Sequence, residues 1–168
     1  IRNVATAVGV SISTIYHHFP DKKALYLGSI EAAFKDKAEV LEEILKPEGT
    51  SEEQLSRFIY RFTKMMAEDK NFRLLLQREL LEADASRLAV LANHVFLVQF
   101  ENLLKMAGRI SPNSDSHMMA ISIFSLVLYH LEASPIRQYL PGGRPEHDEP
   151  EFIANHVFNL LINGVFGC

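Results

Sequence analysis

The first twenty-five residues, IRNVATAVGVSISTIYHHFPDKKAL, constrain the fold more than any other stretch. Val4, Ala5 and Val8 recur at three- and four-residue spacing, which puts them on one face of a short helix. Gly9 follows at once, where a left-handed backbone is needed to end that helix and only glycine adopts it without penalty. Val10 is expected to pack inward and Ser11 to cap a second helix, to which Ile12 and Ile15 give an apolar side. Ala5 is small where two crossing helices come close. Two short helices joined by a tight glycine turn form a helix-turn-helix, whose second helix enters the major groove of DNA.

The far end of the segment is more specific. Val10-Ser11, Thr14-Ile15-Tyr16-His17-His18-Phe19, Lys22 and Leu25 together resemble the signature of the tetracycline-repressor (TetR) family of transcription regulators. The resemblance covers about the first 30 residues; beyond them it is architectural only. Val8 stands where the family usually has alanine, Ile12 where a polar or basic residue is usual, and Ser13 where glycine or serine is usual. The resemblance implies a further helix upstream of Ile1, and the expectation is that this first helix is missing from the chain. It also implies that Tyr16 and Lys22 hold phosphates, while Ser11, Ile12, Ser13, Thr14 and His17 face base edges. Ile12 either touches a thymine methyl or packs locally. His18 and Phe19 are expected to be packing residues of the small head.

Helical periodicity dominates the remainder, and β-branched alternation is scarce, so the class is all-α. Hydrophobic residues make up 48% of the 168, enough for a core, yet no run of about 18 apolar residues suggests a membrane span. No signal peptide is visible. The single cysteine, Cys168, precludes an internal disulfide and fits a reducing cytoplasm. Charge divides along the chain. Arg2, Lys22 and Lys23 against Asp21 leave residues 1–28 at +2, within a chain of net −4. A DNA reader at one end and an acidic body at the other follow from this.

A third helix is expected from an Asp21 cap to about Leu45, burying Leu25, Ile30, Ala33, Phe34, Leu41 and Ile44, with Glu31 and Lys35 paired outside. Lys46-Pro47-Glu48-Gly49-Thr50 marks the boundary between a DNA-binding region with its connecting helix, 1–45, and a helical ligand-binding and dimerisation domain, 46–168. Ser51 with Gln54 fits a capping box opening a helix to about Glu68. Further helices are expected over about 72–81, from Asp84 or Ser86 to near Gly108, over 115–131, over 134–140, and from Glu151 to Phe166 with Val165 on its apolar face. The segment 141–150 reads as a loop, the most flexible-looking in the chain. The helix over 115–131 is apolar on nearly every side, as expected of one buried all round, shared with a partner subunit. Helices 115–131 and 151–166 resemble the pair that forms the family's four-helix dimer interface, which would let two heads read a palindromic operator.

A body rich in phenylalanine and methionine suits a deformable apolar cavity. Phe62, Met66, Phe96, Phe100, Phe124 and Tyr129 are the expected wall, with His94, Gln99, Asn102, Ser122, Ser125 and His130 as polar groups able to orient an effector. For any one of them, a filled core or a bond to backbone is the competing reading. Little points to catalysis: there is no HExxH, no phosphate loop and no nucleophile elbow, so neither a metal site nor a cofactor is expected. His117, His130, His147 and His156 are scattered, and Glu79, Glu82 and Asp84 read as a solvated face with Arg78 and Arg87. The expected function is a ligand-responsive, homodimeric DNA-binding regulator, a repressor of transcription rather than an enzyme. The alternative is an all-α small-molecule binder or enzyme with a vestigial head.

Overall fold

The computed structural model describes residues 1–165, without the side chain of Val165. The expected helix end at Phe166, the inward side chain of Val165 and the lone Cys168 lie outside the described residues. Those residues form helices and turns without a strand: α1 Arg2–Val8, α2 Ile12–His18, α3 Lys22–Ile44, α4 Ser51–Glu68, α5 Lys70–Glu82, α6 Ala85–Val90, α7 Leu97–Ile110, α8 Ser116–Glu132, α9 Ser134–Arg137 and α10 Pro150–Val165. A π-helical turn, Leu91–Phe96, runs between α6 and α7.

Local chemistry sets most helix starts. Ser11, Asp21, Asp69, Asp84 and Asp115 each accept a backbone N–H in the first turn of α2, α3, α5, α6 and α8. The capping box of α4 lies one residue earlier than expected. Thr50 accepts the Glu53 N–H at 3.2 Å, and Glu53 accepts that of Thr50 at 2.7 Å, which holds the Glu53 carboxyl below its ordinary pKa. Gln54 is buried instead. Its Nε2 donates to the carbonyls of Leu45 and Lys46 at the end of α3, and its Oε1 accepts from Arg109 of α7. The break at 46–50 is thus a turn within one packed body.

The core gathers around phenylalanines. Phe58 and Phe62 of α4 stack at 5.5 Å and both meet Phe124 of α8 edge-on, while Phe34 of α3 meets Phe72 and Phe96. Ile30, Phe34, Ala38, Leu41 and Ile44 carry α3 into this core; Ala33, expected inside, is exposed, and Ala38 takes that role. Glu31 lies 3.7 Å from His94 rather than paired with Lys35. The segment 141–150 is held down: Arg137 donates to the carbonyls of His130 and His147 and pairs with Asp148, and Pro145–Asp148 forms a 3-10 turn.

The helix α8 is buried along one side only. Ala120, Ile123, Val127 and Leu131 face the core, whereas Met118, Ile121 and Tyr129 are exposed. On α10, Phe152 and Leu160 are likewise exposed. No helix among the described residues is long and apolar enough to cross a membrane.

Candidate nucleic-acid interface and ligand cavity

The head is built by three local devices. Gly9 adopts φ +71° at the end of α1, the left-handed conformation expected there. Ser11 Oγ accepts the Thr14 N–H at 3.0 Å and lies 2.8 Å from Thr14 Oγ1, fixing the entry of α2. Ile15 is buried beneath α2, and Phe19 at its end lies against Gly28 of α3. A Cβ at Gly28 would sit 2.8 Å from the Phe19 ring, so this glycine permits a close contact between the end of α2 and α3. Sequence reading missed Gly28; its signal is a glycine inside a long helix, costly unless something approaches it.

Ser11, Ile12, Ser13, Thr14, Tyr16, His17 and Lys22 are all exposed, so α2 turns this whole set outward with Lys22 at the first turn of α3. Asp21 caps α3 through the Ala24 N–H at 2.8 Å. Two expectations for the head need correction. Val10 is 40% exposed rather than packed inward, as are Val4 and Val8, because α1 and α2 bury only Ala5 and Ile15. His18 is exposed too, set edge-on to His17 at 5.3 Å, so only Phe19 is a packing residue.

A cavity of about 510 Å³ lies in the body, between α3, α4, α5, the π turn, α7 and α8. Phe62, Met66, Phe96, Phe100 and Phe124 line it together, with Leu41, Phe72 and Leu91. Its volume falls in the ordinary range for small-molecule sites. Of the residues expected there, Tyr129 of the wall and the polar His94, Asn102, Ser122, Ser125 and His130 do not line it. His94 points out from the π turn toward Glu31, the Ser125 side chain is exposed with its hydroxyl donating to the Ile121 carbonyl of its own helix, and Tyr129 is 76% exposed. Gln99, Asn93 and Glu79 are the polar residues that do.

Glu79 overturns the reading of a solvated carboxylate face. It is 1% exposed, accepting the Tyr26 phenol at 2.7 Å and the Arg87 Nε at 2.7 Å. Arg87 also pairs with Glu82, as does Arg78, and both guanidinium groups lie over the Tyr26 ring. The bond to Glu79 pushes the Tyr26 phenol above its ordinary pKa, with burial adding to it; the two arginines hold the Glu82 carboxyl below its own. Tyr26 stands on α3, two residues from Gly28, so this network ties α5 and α6 to the stretch of α3 on which the head rests.

Among the described residues, no three His, Cys, Asp or Glu side chains group as metal ligands. Of the scattered histidines, His130 and His156 meet edge-on at 5.2 Å, while His117 lies by Phe100 and His147 by Phe152.

No curated protein matches the chain. Residues 1–28 match the family model described as bacterial regulatory proteins, tetR family, which spans α1, α2 and the first turns of α3. With its capped, outward-turned second helix, this opening segment is similar to the corresponding part of the bacterial regulatory proteins of the tetR family, a family of DNA-binding transcription regulators.

Proposed function

We propose that the protein is a homodimeric repressor, acting in the cytoplasm, that releases a palindromic operator when a largely apolar small molecule enters its body. The observation that carries this reading is the cavity of about 510 Å³ walled partly by α3, the same helix whose first turns hold the head. A molecule that binds one arrangement of α3 better than another shifts the spacing of two heads, and a coupling of about 1–3 kcal/mol is typical of such devices. The exposed apolar side chains of α8 and α10 supply the surface for pairing through those two helices. The role is binding without turnover, with no cofactor.

Tyr16 and Lys22 are the phosphate contacts in this reading, and the outward residues of α2 read base edges. The test is a fluorescence titration of promoter DNA with the full-length protein, across salt concentrations. Lys22→Ala is expected to weaken binding to every sequence and reduce the salt slope by about one. An unchanged slope in that variant, or equal binding of wild type to all sequences at raised salt, refutes the assignment.

A further inference from the structure

The cavity in the body is apolar within and opens to solvent at one rim. Phe62, Met66, Phe72, Phe96, Phe100 and Phe124 belong to its wall. Leu80 of α5, Ala92 and Asn93 of the π turn, and Leu97 at the start of α7 also line it, yet all four are exposed. None of these four lies on α8 or α10, the helices proposed to pair. Three polar residues line the cavity, and none offers a free group from inside. Both Glu79 oxygens are taken, one by the Tyr26 phenol and the other by Arg87. The Gln99 amide donates to the Ala38 carbonyl, and its oxygen is fully buried, out of a ligand's reach. Asn93 stands on the exposed rim. Among the described residues, no Lys, Arg or His lines the cavity.

We infer that the cavity takes an amphiphile tail first: a hydrocarbon tail fills the apolar interior, and the polar head stays in water at the rim by Leu80, Asn93 and Leu97. This deepens the ligand-responsive reading above and rests on it. A charged or polar head carried inward would lose its hydration and meet no partner. At the rim it keeps its water. The one charged residue lining the cavity, Glu79, is buried and matched by Arg87, so the sign of the head's charge matters little. Affinity then comes from the tail, methylene by methylene.

The test titrates the full-length protein by calorimetry with alkyl carboxylates and alkyltrimethylammonium salts of matched chains, from hexyl to decyl, below their micelle concentrations. Binding at a single site is expected, with affinity rising about fourfold per methylene in both series. At equal length the two heads should bind within about threefold of each other. Leu80→Glu, at a rim position 59% exposed, should keep the dependence on chain length and shift the preference toward the ammonium head by about threefold. A head preference above about tenfold in wild type means that a charge is read inside. That result overturns the orientation while the cavity reading stands, as does an unmoved preference in Leu80→Glu. Affinity that is flat with chain length, or many weak sites, overturns the role of the tail. If neither series binds, the cavity reading itself falls. The wild-type comparison decides the matter even where the variant folds poorly.

Discussion

The head and the body are held together in different ways. In α1 and α2 only Ala5 and Ile15 are buried, and the shape comes from a left-handed glycine, a serine cap and one ring laid against a glycine. The body instead buries Phe34, Phe58, Phe62, Leu103 and Met106 almost completely and adds an internal carboxylate network. A unit of the first kind is specified residue by residue, and each device can be removed alone. A unit of the second kind fails cooperatively, because every core side chain shares neighbours with the others.

Substitutions can break that contrast. The largest effect is expected from Phe58→Ala, which empties a site at 0% exposure and should cost about 3–5 kcal/mol in denaturant unfolding. A loss below about 1 kcal/mol would mean that the body does not depend on its aromatic packing. Next is Glu79→Gln, which removes the charge facing Arg87 and should cost about 1–3 kcal/mol. It should also bring the Tyr26 phenol back down toward its ordinary pKa, read by ultraviolet absorbance in alkaline titration. A Tyr26 titration unmoved by the change would remove Glu79 as its cause.

Ser11→Ala should cost about 1 kcal/mol, confined to α2. Hydrogen exchange at the Thr14 amide should quicken while body amides keep their protection; matching changes in both would merge the two regions. The smallest effect belongs to His130, whose imidazole is held below its ordinary pKa by burial first, then by His156 and Arg137. The unfolded chain therefore takes up this proton more readily, so stability is full above pH of about 6.5 and declines as pH falls from there through the folded value. His130→Gln should flatten that part of a melting-temperature series; an unchanged slope assigns it elsewhere.

Legibility in the sequence followed the same division. Gly9, Ser11, Asp21, Asp84 and the outward set on α2 could be read because each depends on residues three or four positions away. Thr50 with Glu53 and Ser51 with Gln54 fit the same local pattern equally well. Long-range bonds from Gln54 to Leu45, Lys46 and Arg109 decide between them. Glu79 looked solvated for a similar reason: its partner Tyr26 is 53 residues away. Five of the six expected wall residues line the cavity, as large apolar side chains on inward faces, but only Gln99 of the six expected polar groups does. His94, Ser125 and Tyr129 were placed by type alone, and polarity does not say which side of a helix a residue takes.

The π turn at Leu91–Phe96 has an implication for any chain descended from the same ancestor. Such a turn holds one residue more than a regular α-helical winding. Losing that residue would let 85–110 wind as one regular helix with the residues after the turn kept in phase, because the wide turn absorbs the extra residue. Gln99 and Phe100 would then keep their places at the chamber, and the change would fall on Leu91, Ala92, Asn93 and Phe96, the residues of the turn that line it. A single-codon deletion here is thus a route to reshaping one stretch of the chamber wall, without altering the head or the helix beyond it.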